Sequence, residues 1–577
     1  MQKEKAVTQL SITTLVDRLN KDHICLPSFQ RDFVWKPDQM AKLLESVIRH
    51  YPTGTIMLLV SKGNEDLGKL SFVNTDPNAF TPKHYVIDGQ QRLRTFLTLL
   101  RCGGRFEPNP PFEHEAAGAN YKFFYKLDFA FSSIEELGVD KPTFIVPRKT
   151  EDHEKDNYEQ QGKEHLIPVE FMFSKKHSSS WVKQAYPRYK QPGRNKILKK
   201  ISEIRSRINN YSCPIEIICM KLKAIHHANM FRLLNEGGTD LTTFDLLTAR
   251  FNPDGINLRN LWKASCRDYQ NLEQFKVDPI FVLKTMLLIR QHEEDNPTCT
   301  MREVKRIRDY YADEPAKRTL FQHDWRTASS YLDKAINMMK HEFGVASRKY
   351  LPYSPMLIPL AAALWHVRDY DQRYKGHMNE KLRRWYWGAV FNKQFEKSTD
   401  TQIGKHFAAL VEWLEPMTRT RIPSNINFRM SKEEIGKSLD RINTTAAAVY
   451  KAVLCMPLRQ GADDIYTRDY LGGGVRLHDH HIFPKNFLKL QVERDGDSAE
   501  EILEKMNHPI NRMLITDSTN LEIKDKSPHS YLAGVDRRIL KRHFLFSEIV
   551  SNQLDFLEFF EKRKSMIVDY VHRNLIN

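Results

Sequence analysis

The sequence is poor in cysteine, and its cysteines do not pair at metal-binding spacing. Seven cysteines occur among 577 residues, and no two form a Cys-x-x-Cys motif. The odd count and the spacing argue against a zinc ribbon or a disulfide framework and favour reduced thiols.

Long apolar runs are also missing. The longest conspicuous run, 356–365, has ten residues and contains Pro359, so it is too short to cross a bilayer. Residues 1–7 lack the apolar core of a signal peptide. Neither an amphipathic anchor nor a lipidation signal is evident. We therefore expect a cytoplasmic protein without a membrane partner.

A Walker A lysine motif, internal repeats and low-complexity tails are absent too. Apolar residues are plentiful: they make up 41% of the chain and include 32 Phe, which excludes a disordered chain. The length suggests roughly two to four domains. Lys and Arg number 88 against 72 Asp and Glu, a net charge of +16. This balance suits a polyanionic partner.

Histidines and an asparagine near the C-terminus have the composition of a one-metal nuclease site. The stretch 478–485 reads His-Asp-His-His-Ile-Phe-Pro-Lys, and Asn520 follows His481 by 39 residues. Histidine suits a general base because its pKa lies near neutral pH. Asn520 follows a predicted strand at 511–516, at a strand-to-helix corner where its amide oxygen can face a metal ion. Two adjacent histidines point in different directions, which allows them two roles.

These residues resemble an HNH (ββα-metal) nuclease module, which carries His-Ile-Phe-Pro and ends in Asn-x-x-Ile-x-x-Lys-x-Pro, here 520–528. The resemblance implies that His481 is the general base and that His480 and Asn520 hold a divalent metal. Asn520 then belongs to the catalytic set as well. Asn511 matches an asparagine that braces the loop.

One position departs from the module, which often has an acidic residue where His480 stands. A neutral ligand there binds Mg²⁺ less strongly and suits softer ions better. Asp479 or His478 could compensate for the missing charge. The alternative interpretation is a histidine-rich surface loop that binds nothing.

A second motif lies near the N-terminus. An apolar strand predicted at 84–87 runs into Asp-Gly-Gln-Gln-Arg at 88–92, and a helix pattern follows at 93–100. A helix start after a glycine turn favours anion binding. The planar guanidinium of Arg92 can donate hydrogen bonds to phosphate oxygens, and Asp88 could hold Mg²⁺ or orient water. A purely structural tight turn is the alternative.

Together with the blocks at 27–35 and 231–242, this motif resembles the N-terminal domain of the GmrSD family of type IV, modification-dependent restriction proteins, which is distantly akin to ParB and sulfiredoxin domains. The resemblance implies binding or hydrolysis of a nucleoside triphosphate, GTP or ATP, with Asp88 and Arg92 as catalytic residues. The implied nucleotide-binding residues are Gln30, Arg31, Asp88, Gly89, Gln90, Gln91, Arg92 and Asn235. Asn235 also fits a helix C-terminus.

The expected fold is multidomain α+β. It has a ParB/sulfiredoxin-like α/β domain at 1–251 with a basic insertion near 106–210, a mainly helical linking domain at 252–455, and an HNH domain at 456–577. The insertion holds eleven Lys or Arg and one acid between 175 and 207. That stretch fits either DNA contact or an ordinary amphipathic helix with a solvated face. An aromatic cluster at 385–391 is more typical of a core than of a base-stacking platform.

These expectations combine into a DNA endonuclease that uses Mg²⁺, Mn²⁺ or another divalent metal, is regulated by a nucleoside triphosphate, and acts against phage or modified foreign DNA. The expected DNA-binding residues are Lys485, Arg537, Arg538 and Lys541. A homo-oligomer is possible. Two alternatives remain: an RNase or toxin that uses the same HNH site, and a nucleotide-switched DNA-binding regulator with a degenerate nuclease site.

Overall fold

The structure is a computed structural model. It describes residues 4–27, 30, 33, 35–61, 69–73, 75–76, 79–101, 121–127, 145–149, 158–173, 175–219, 242–251, 254–294, 296–311, 316–397, 399–415, 423, 426, 428–442, 444–472, 474–494, 499–551 and 555–576. The chain divides into two compact units, Met1–Leu258 and Arg259–Asn577.

Unit 1 contains two sheets and eight helices among its described residues. The strands are β1 (Glu4–Ser11), β2 (Ile24–Cys25), β3 (Ile56–Val60), β4 (His84–Asp88), β5 (Tyr121–Lys126), β6 (Ile145–Lys149), β7 (Leu166–Pro168) and β8 (Ser212–Cys219). The helices are α1 (Ile12–Asn20), α2 (Pro37–Ile48), α3 (Gln90–Arg101), α4 (Tyr158–Lys163), α5 (Val169–Met172), α6 (Lys175–Ala185), α7 (Gln191–Asn210) and α8 (Thr243–Phe251).

The larger sheet is mixed and has the strand order β1-β8-β3-β4-β2. Strand β4 pairs antiparallel with β3 and parallel with β2, so both of its edges are hydrogen-bonded. Its residues Tyr85, Val86 and Ile87 are buried. The larger sheet therefore fixes the end of β4, where Asp88 begins the predicted nucleotide motif.

The basic stretch forms two helices, α6 and α7, and α7 is amphipathic. Ile197, Ile201, Ile204 and Ile208 recur at helical spacing and are all buried. Burial of each such side chain contributes about 1.5–3 kcal/mol. The amphipathic-helix interpretation is therefore confirmed for α7, and contact of its polar face with DNA stays a prediction.

Regular structure in unit 2 is helical from Arg259 to Arg459 among the described residues, as the sequence predicts. The helices are α9 (Leu258–Asp268), α10 (Gln270–Gln274), α11 (Ile280–Arg290), α12 (Met301–Arg306), α13 (Lys317–Phe343), α14 (Leu357–His366), α15 (Lys375–Phe391), α16 (Thr399–Leu414), α17 (Lys432–Asp440) and α18 (Ala448–Arg459). Short 3₁₀ helices lie at Ile307–Tyr311, Arg348–Tyr350, Ser354–Met356 and Gln372–Tyr374. Within the described part of the chain, no helix is both long enough and apolar enough to span a membrane.

The aromatic cluster in α15 belongs to the core of unit 2. Trp385, Tyr386 and Trp387 have no exposed surface, and Tyr386 stacks on Phe343 with ring centroids 4.2 Å apart. The prediction of a core role is confirmed.

The C-terminal part of unit 2 contains a two-stranded antiparallel sheet of β9 (Leu477–His481) and β10 (Arg512–Thr516). The remaining helices are α19 (Lys485–Arg494), α20 (Ala499–Lys505), α21 (Asp517–Ile523), α22 (Pro528–Tyr531), α23 (Arg537–Arg542), α24 (Ser547–Val550) and α25 (Phe556–Tyr570), with a 3₁₀ turn at Pro509–Asn511 and a π-helical segment at Val571–Ile576. Helix α18 runs through the boundary expected at 455/456 and contacts β10. That boundary stays a prediction.

One buried histidine makes the stability of unit 2 depend on pH. His406 is fully buried, and its Nδ1 accepts a hydrogen bond of 2.8 Å from Trp385 Nε1. Burial lowers the pKa of His406 to about 3, so the folded chain binds fewer protons than the unfolded chain. The stabilising contribution is complete above the unfolded pKa of about 6.5 and is lost as the pH falls below it.

We expect His406→Gln, which cannot titrate, to weaken this dependence by about 1 kcal/mol per pH unit between about pH 6 and pH 5. Urea denaturation followed by tryptophan fluorescence measures the effect. The exposed His377→Gln serves as the control. Equal slopes for His406→Gln and the wild type would contradict the role assigned to His406.

Candidate functional site

The β9–β10 pair and α21 bring two of the predicted site residues together. His480 lies in β9, opposite Met513 of β10, and Asn520 lies in the helix that follows β10 directly. Thr516 caps α21 by accepting a hydrogen bond from the backbone N–H of Thr519. His480 Nδ1 and Asn520 Oδ1 are 3.0 Å apart. The strand–strand–helix order therefore juxtaposes two side chains that are 40 residues apart in sequence.

The contact with Asn520 fixes the tautomer of His480. Asn520 Oδ1 can only accept, so Nδ1 of His480 carries the proton and Nε2 carries the lone pair. Nε2 is buried and has no hydrogen-bond partner among the described residues. Burial also lowers the pKa of His480, outweighing the hydrogen bond with Asn520 that raises it. His480 is thus a neutral imidazole whose Nδ1 faces the amide oxygen of Asn520.

His481 is oriented by a different asparagine. Its Nε2 lies 3.1 Å from Asn507 Oδ1, which also receives a 3.5 Å contact from Arg512 Nη2. Nε2 therefore donates, and the lone pair is on Nδ1. Burial, followed by the charge of Arg512, lowers the pKa of His481 to about 4. His481 is neutral near pH 7 and can accept a proton.

Asp479 supports the strand. Its carboxylate accepts a 2.6 Å hydrogen bond from the Tyr450 hydroxyl and pairs with Arg512 at 3.4 Å. His478 pairs with Asp517. In the part of the chain that the structure describes, no three His, Cys, Asp or Glu residues are grouped so that they could hold a metal ion.

The loop after His481 is braced by Asn511, which has no exposed surface. Its Oδ1 accepts from the Phe483 N–H at 2.8 Å, and its Nδ2 donates to the carbonyls of Phe483 and Met506 at 3.1 and 2.9 Å. On the other side, the buried Arg563 of α25 donates to the carbonyls of Ile510 and Arg512. The backbone is thus held on both sides of Asn511.

Asp464 supports the junction between β10 and α21. This fully buried carboxylate accepts from Thr516 N at 2.7 Å, from Thr519 Oγ1 at 2.5 Å, and from the N–H groups of Tyr466 and Thr467 at 2.9 and 3.0 Å. Burial alone would raise the pKa of Asp464, but these hydrogen bonds together lower it.

Neither Asn507 nor Asp464 was predicted from the sequence. Asp464 lies 56 residues before Asn520 in an ordinary-looking turn. Asn507 stands next to a His-Pro pair, in a stretch with no motif. Only their partners, which are distant in sequence, identify their roles.

In unit 1, the structure collects the described members of the predicted nucleotide motif around the end of β4. Gly89 has a φ of +95°, and a Cβ at this position would lie 3.0 Å from Ile56 Cγ1, so the turn requires glycine. Arg92 pairs with Asp88 at 2.9 Å and donates to the carbonyls of Thr53 at 2.8 Å and Thr55 at 3.0 Å. The guanidinium is therefore engaged by the protein, and binding of phosphate would require it to exchange partners.

The glutamines of this motif are buried. Gln30 donates to the carbonyls of Val86 and Ile87 at 3.2 and 3.3 Å, and Gln91 accepts from the Trp35 N–H at 3.3 Å. Gln90 is 5% exposed. The predicted residues Arg31 and Asn235 lie outside the described residues.

The predicted DNA-binding side chains are on the surface of unit 2. Lys485 begins α19, and Arg537, Arg538 and Lys541 lie in α23; all four are exposed. Their position leaves them accessible to a nucleic acid.

Comparison with known proteins gives two results. Residues 12–252 match the family model described as "GmrSD restriction endonuclease, N-terminal domain". The chain is also similar to "Uncharacterized protein MJ0686" of Methanocaldococcus jannaschii, with 24% identity over an alignment that covers 97% of this chain and 98% of the relative. The resemblance drawn from the Asp88–Arg92 block is thus confirmed for the N-terminal domain. The match places a domain similar to the N-terminal domain of GmrSD restriction endonucleases at residues 12–252.

Proposed function

We propose that this chain is a metal-dependent DNA endonuclease whose active site is the β9–β10–α21 segment. The single observation that carries the proposal is the 3.0 Å contact of His480 with Asn520 beside a neutral His481. The family match at residues 12–252 supports restriction as the biological role. The expected target is phage DNA or modified foreign DNA.

The donor set fits a divalent metal. Nδ1 of His480 and Oδ1 of Asn520 lie 3.0 Å apart, which is about the spacing of two adjacent ligands that each lie roughly 2.1 Å from one ion. An ion held there would take the place of the Nδ1 proton, and the proton of the neutral ring would then lie on Nε2. When bound, Mg²⁺, Mn²⁺ or a related ion would neutralise charge at the scissile phosphate and stabilise the leaving oxygen. A nitrogen donor favours the softer members of this group.

His481 acts as the general base through Nδ1, while Asn507 holds the Nε2–H. A water proton taken up at Nδ1 gives an imidazolium, whose Nε2–H then bonds more strongly to Asn507 Oδ1. Burial, followed by the charge of the nearby Arg512, lowers the pKa of His481. A phosphodiester bound beside it brings negative charge that offsets Arg512 and raises the basicity of the imidazole.

The N-terminal motif supplies the proposed nucleotide switch. Asp88 ends β4, its side chain is 36% exposed, and it stands just before the twelve-residue helix α3. Backbone N–H groups at such a helix start favour phosphate. GTP or ATP bound at Asp88–Arg92 would compete with the carbonyls of Thr53 and Thr55 for the guanidinium of Arg92. Nucleotide binding would therefore change the conformation of the segment that precedes β3.

We expect His481→Ala to lower kcat for DNA cleavage at least a hundredfold, because a general base contributes about 10²–10⁴ in rate. His480→Ala should abolish metal-dependent cleavage. Plasmid nicking in Mg²⁺, Mn²⁺ and Ni²⁺, with and without nucleotide and with matched RNA as a second substrate, measures both effects.

The control for both variants is His377→Ala on the surface. Full activity of a folded His481→Ala protein would rule out this active site. If the protein cleaved RNA but not DNA, the same site would be that of an RNase.

Asn507→Ala tests how His481 is positioned. Loss of the amide oxygen frees the imidazole to rotate and change tautomer, so kcat should fall about 10–100-fold, with KM nearly unchanged. Steady-state cleavage of a short duplex checks this, with the exposed Asn574→Ala for comparison. If kcat were unchanged, His481 would be held by something other than Asn507.

Asp88→Asn tests the nucleotide site with little change in shape. We expect the affinity of the full chain for GTP or ATP to fall about tenfold or more, while cleavage without nucleotide persists. Calorimetric titration measures the affinity. The matched control is Asp17→Asn. Asp17 forms an ion pair with Lys21, four residues later, just as Asp88 does with Arg92. Equal nucleotide affinity for Asp88→Asn and the wild type would disprove the assignment.

A further inference from the structure

A cleft of about 400 Å³ lies in unit 2, next to the strand that carries the two histidines. Its walls come from a segment after α13 and from residues 474–478, the last two of which begin β9. The lining residues are Ala346, Ser347, Lys349, Tyr350, Gly474, Val475, Arg476, Leu477 and His478. The volume falls within the range of pockets that hold ligands of moderate size. The proposed chemistry at His480 and His481 uses none of these side chains.

The two walls are tied together at the floor of the cleft. Tyr350 is 3% exposed, and its hydroxyl donates to the carbonyl of Leu477 at 3.3 Å. The carbonyl of Tyr350 in turn accepts a 3.5 Å hydrogen bond from the Cys455 thiol of α18. The cleft is therefore anchored to a core helix and keeps its shape without a ligand.

The rim of the cleft carries two exposed cationic side chains, Lys349 and Arg476. Arg476 is 83% exposed and contacts Asp517 at 3.3 Å. An ion pair this exposed is weak because water screens it, so Arg476 can leave Asp517 for a stronger anion. Asp517 retains His478 as a second partner. The rim thus holds two cations that can turn to an incoming anion.

The cleft lies close to the proposed site of cleavage. His478 and His480 are two residues apart in β9, so their side chains lie on the same face, about 6.6 Å apart along the strand. Phosphates in one strand of duplex DNA recur about every 3.4 Å along the helix axis. A nucleic-acid strand with its scissile phosphate at His480 would therefore bring a neighbouring phosphate to the cleft.

We propose that this cleft binds the nucleic-acid backbone beside the scissile phosphate, with Lys349 and Arg476 contacting phosphates. The inference rests on the proposed nuclease function. These contacts position the strand without reading its sequence, because phosphates are the same at every step. Val475 and Leu477, which also line the cleft, would offer apolar surface to the sugar.

The experiment compares Lys349→Ala/Arg476→Ala with the wild type in the full chain. Binding of a DNA duplex is measured in EDTA at several salt concentrations, and cleavage is measured with metal. Each lost phosphate contact should lower the slope of log Kd against log salt by about 0.9, or by about 1.8 for the pair. We expect KM for cleavage to rise about tenfold, with kcat changed less than about twofold.

The charge-matched control is Arg318→Ala/Arg326→Ala. Both residues are exposed on α13, and Arg326 lies about 26 Å along that helix from its end at the cleft. This variant should keep the wild-type salt slope and KM. Arg476→Lys preserves the charge and should therefore keep the wild-type slope of log Kd against log salt. The single variant Arg476→Ala should lower that slope.

Two results overturn the inference: a salt slope and KM equal to the wild type in the double variant, or a loss of kcat with KM unchanged. A wild-type chain that binds DNA with the expected slopes but never cuts it would refute the nuclease and leave the backbone cleft supported. A wild-type chain that neither binds nor cuts DNA would refute both.

Discussion

The antiparallel pairing of β9 with β10 is the constraint on which the candidate site depends. The register sets Arg512 opposite His481 and Met513 opposite His480, and α21 begins directly after β10. Because side chains alternate across a strand, a slip of one residue would turn His480 away from Asn520 and His481 away from its asparagine. Asp464 fixes one end of this arrangement through its hydrogen bonds to Thr516 and Thr519.

Within that register, two amide oxygens determine the chemistry of two neighbouring imidazoles. Asn520 places the proton of His480 on Nδ1, and Asn507 places the proton of His481 on Nε2. The two rings therefore differ in tautomer: the lone pair lies on Nε2 in His480 and on Nδ1 in His481. Burial keeps both rings neutral, since it disfavours the charged form.

Much of this arrangement could be predicted from local sequence. The spacing of His481 and Asn520 predicts a strand, a second strand and a helix, and the isoleucines of α7 predict its buried face. Contacts between distant segments could not be predicted. Asn507 and Asp464 act through partners that no local pattern connects to them. The sequence predicts that the Arg92 guanidinium is available for phosphate, yet it donates to the Asp88 carboxylate and to two backbone carbonyls. The carbonyls could not be foreseen, because they come from Thr53 and Thr55, in the separate segment that precedes β3.

The buried guanidinium of Arg563 links the site to the order in which the chain is made. Burial lowers the pKa of Arg563 to about 9, and its hydrogen bonds to the carbonyls of Ile510, Arg512 and His543 compensate for its removal from water. This clamp comes from α25, some 40 residues after α21 begins. On a ribosome, the strand–strand–helix segment therefore emerges before the clamp that secures it. A nascent chain therefore lacks these three hydrogen bonds until α25 has been synthesised and packed.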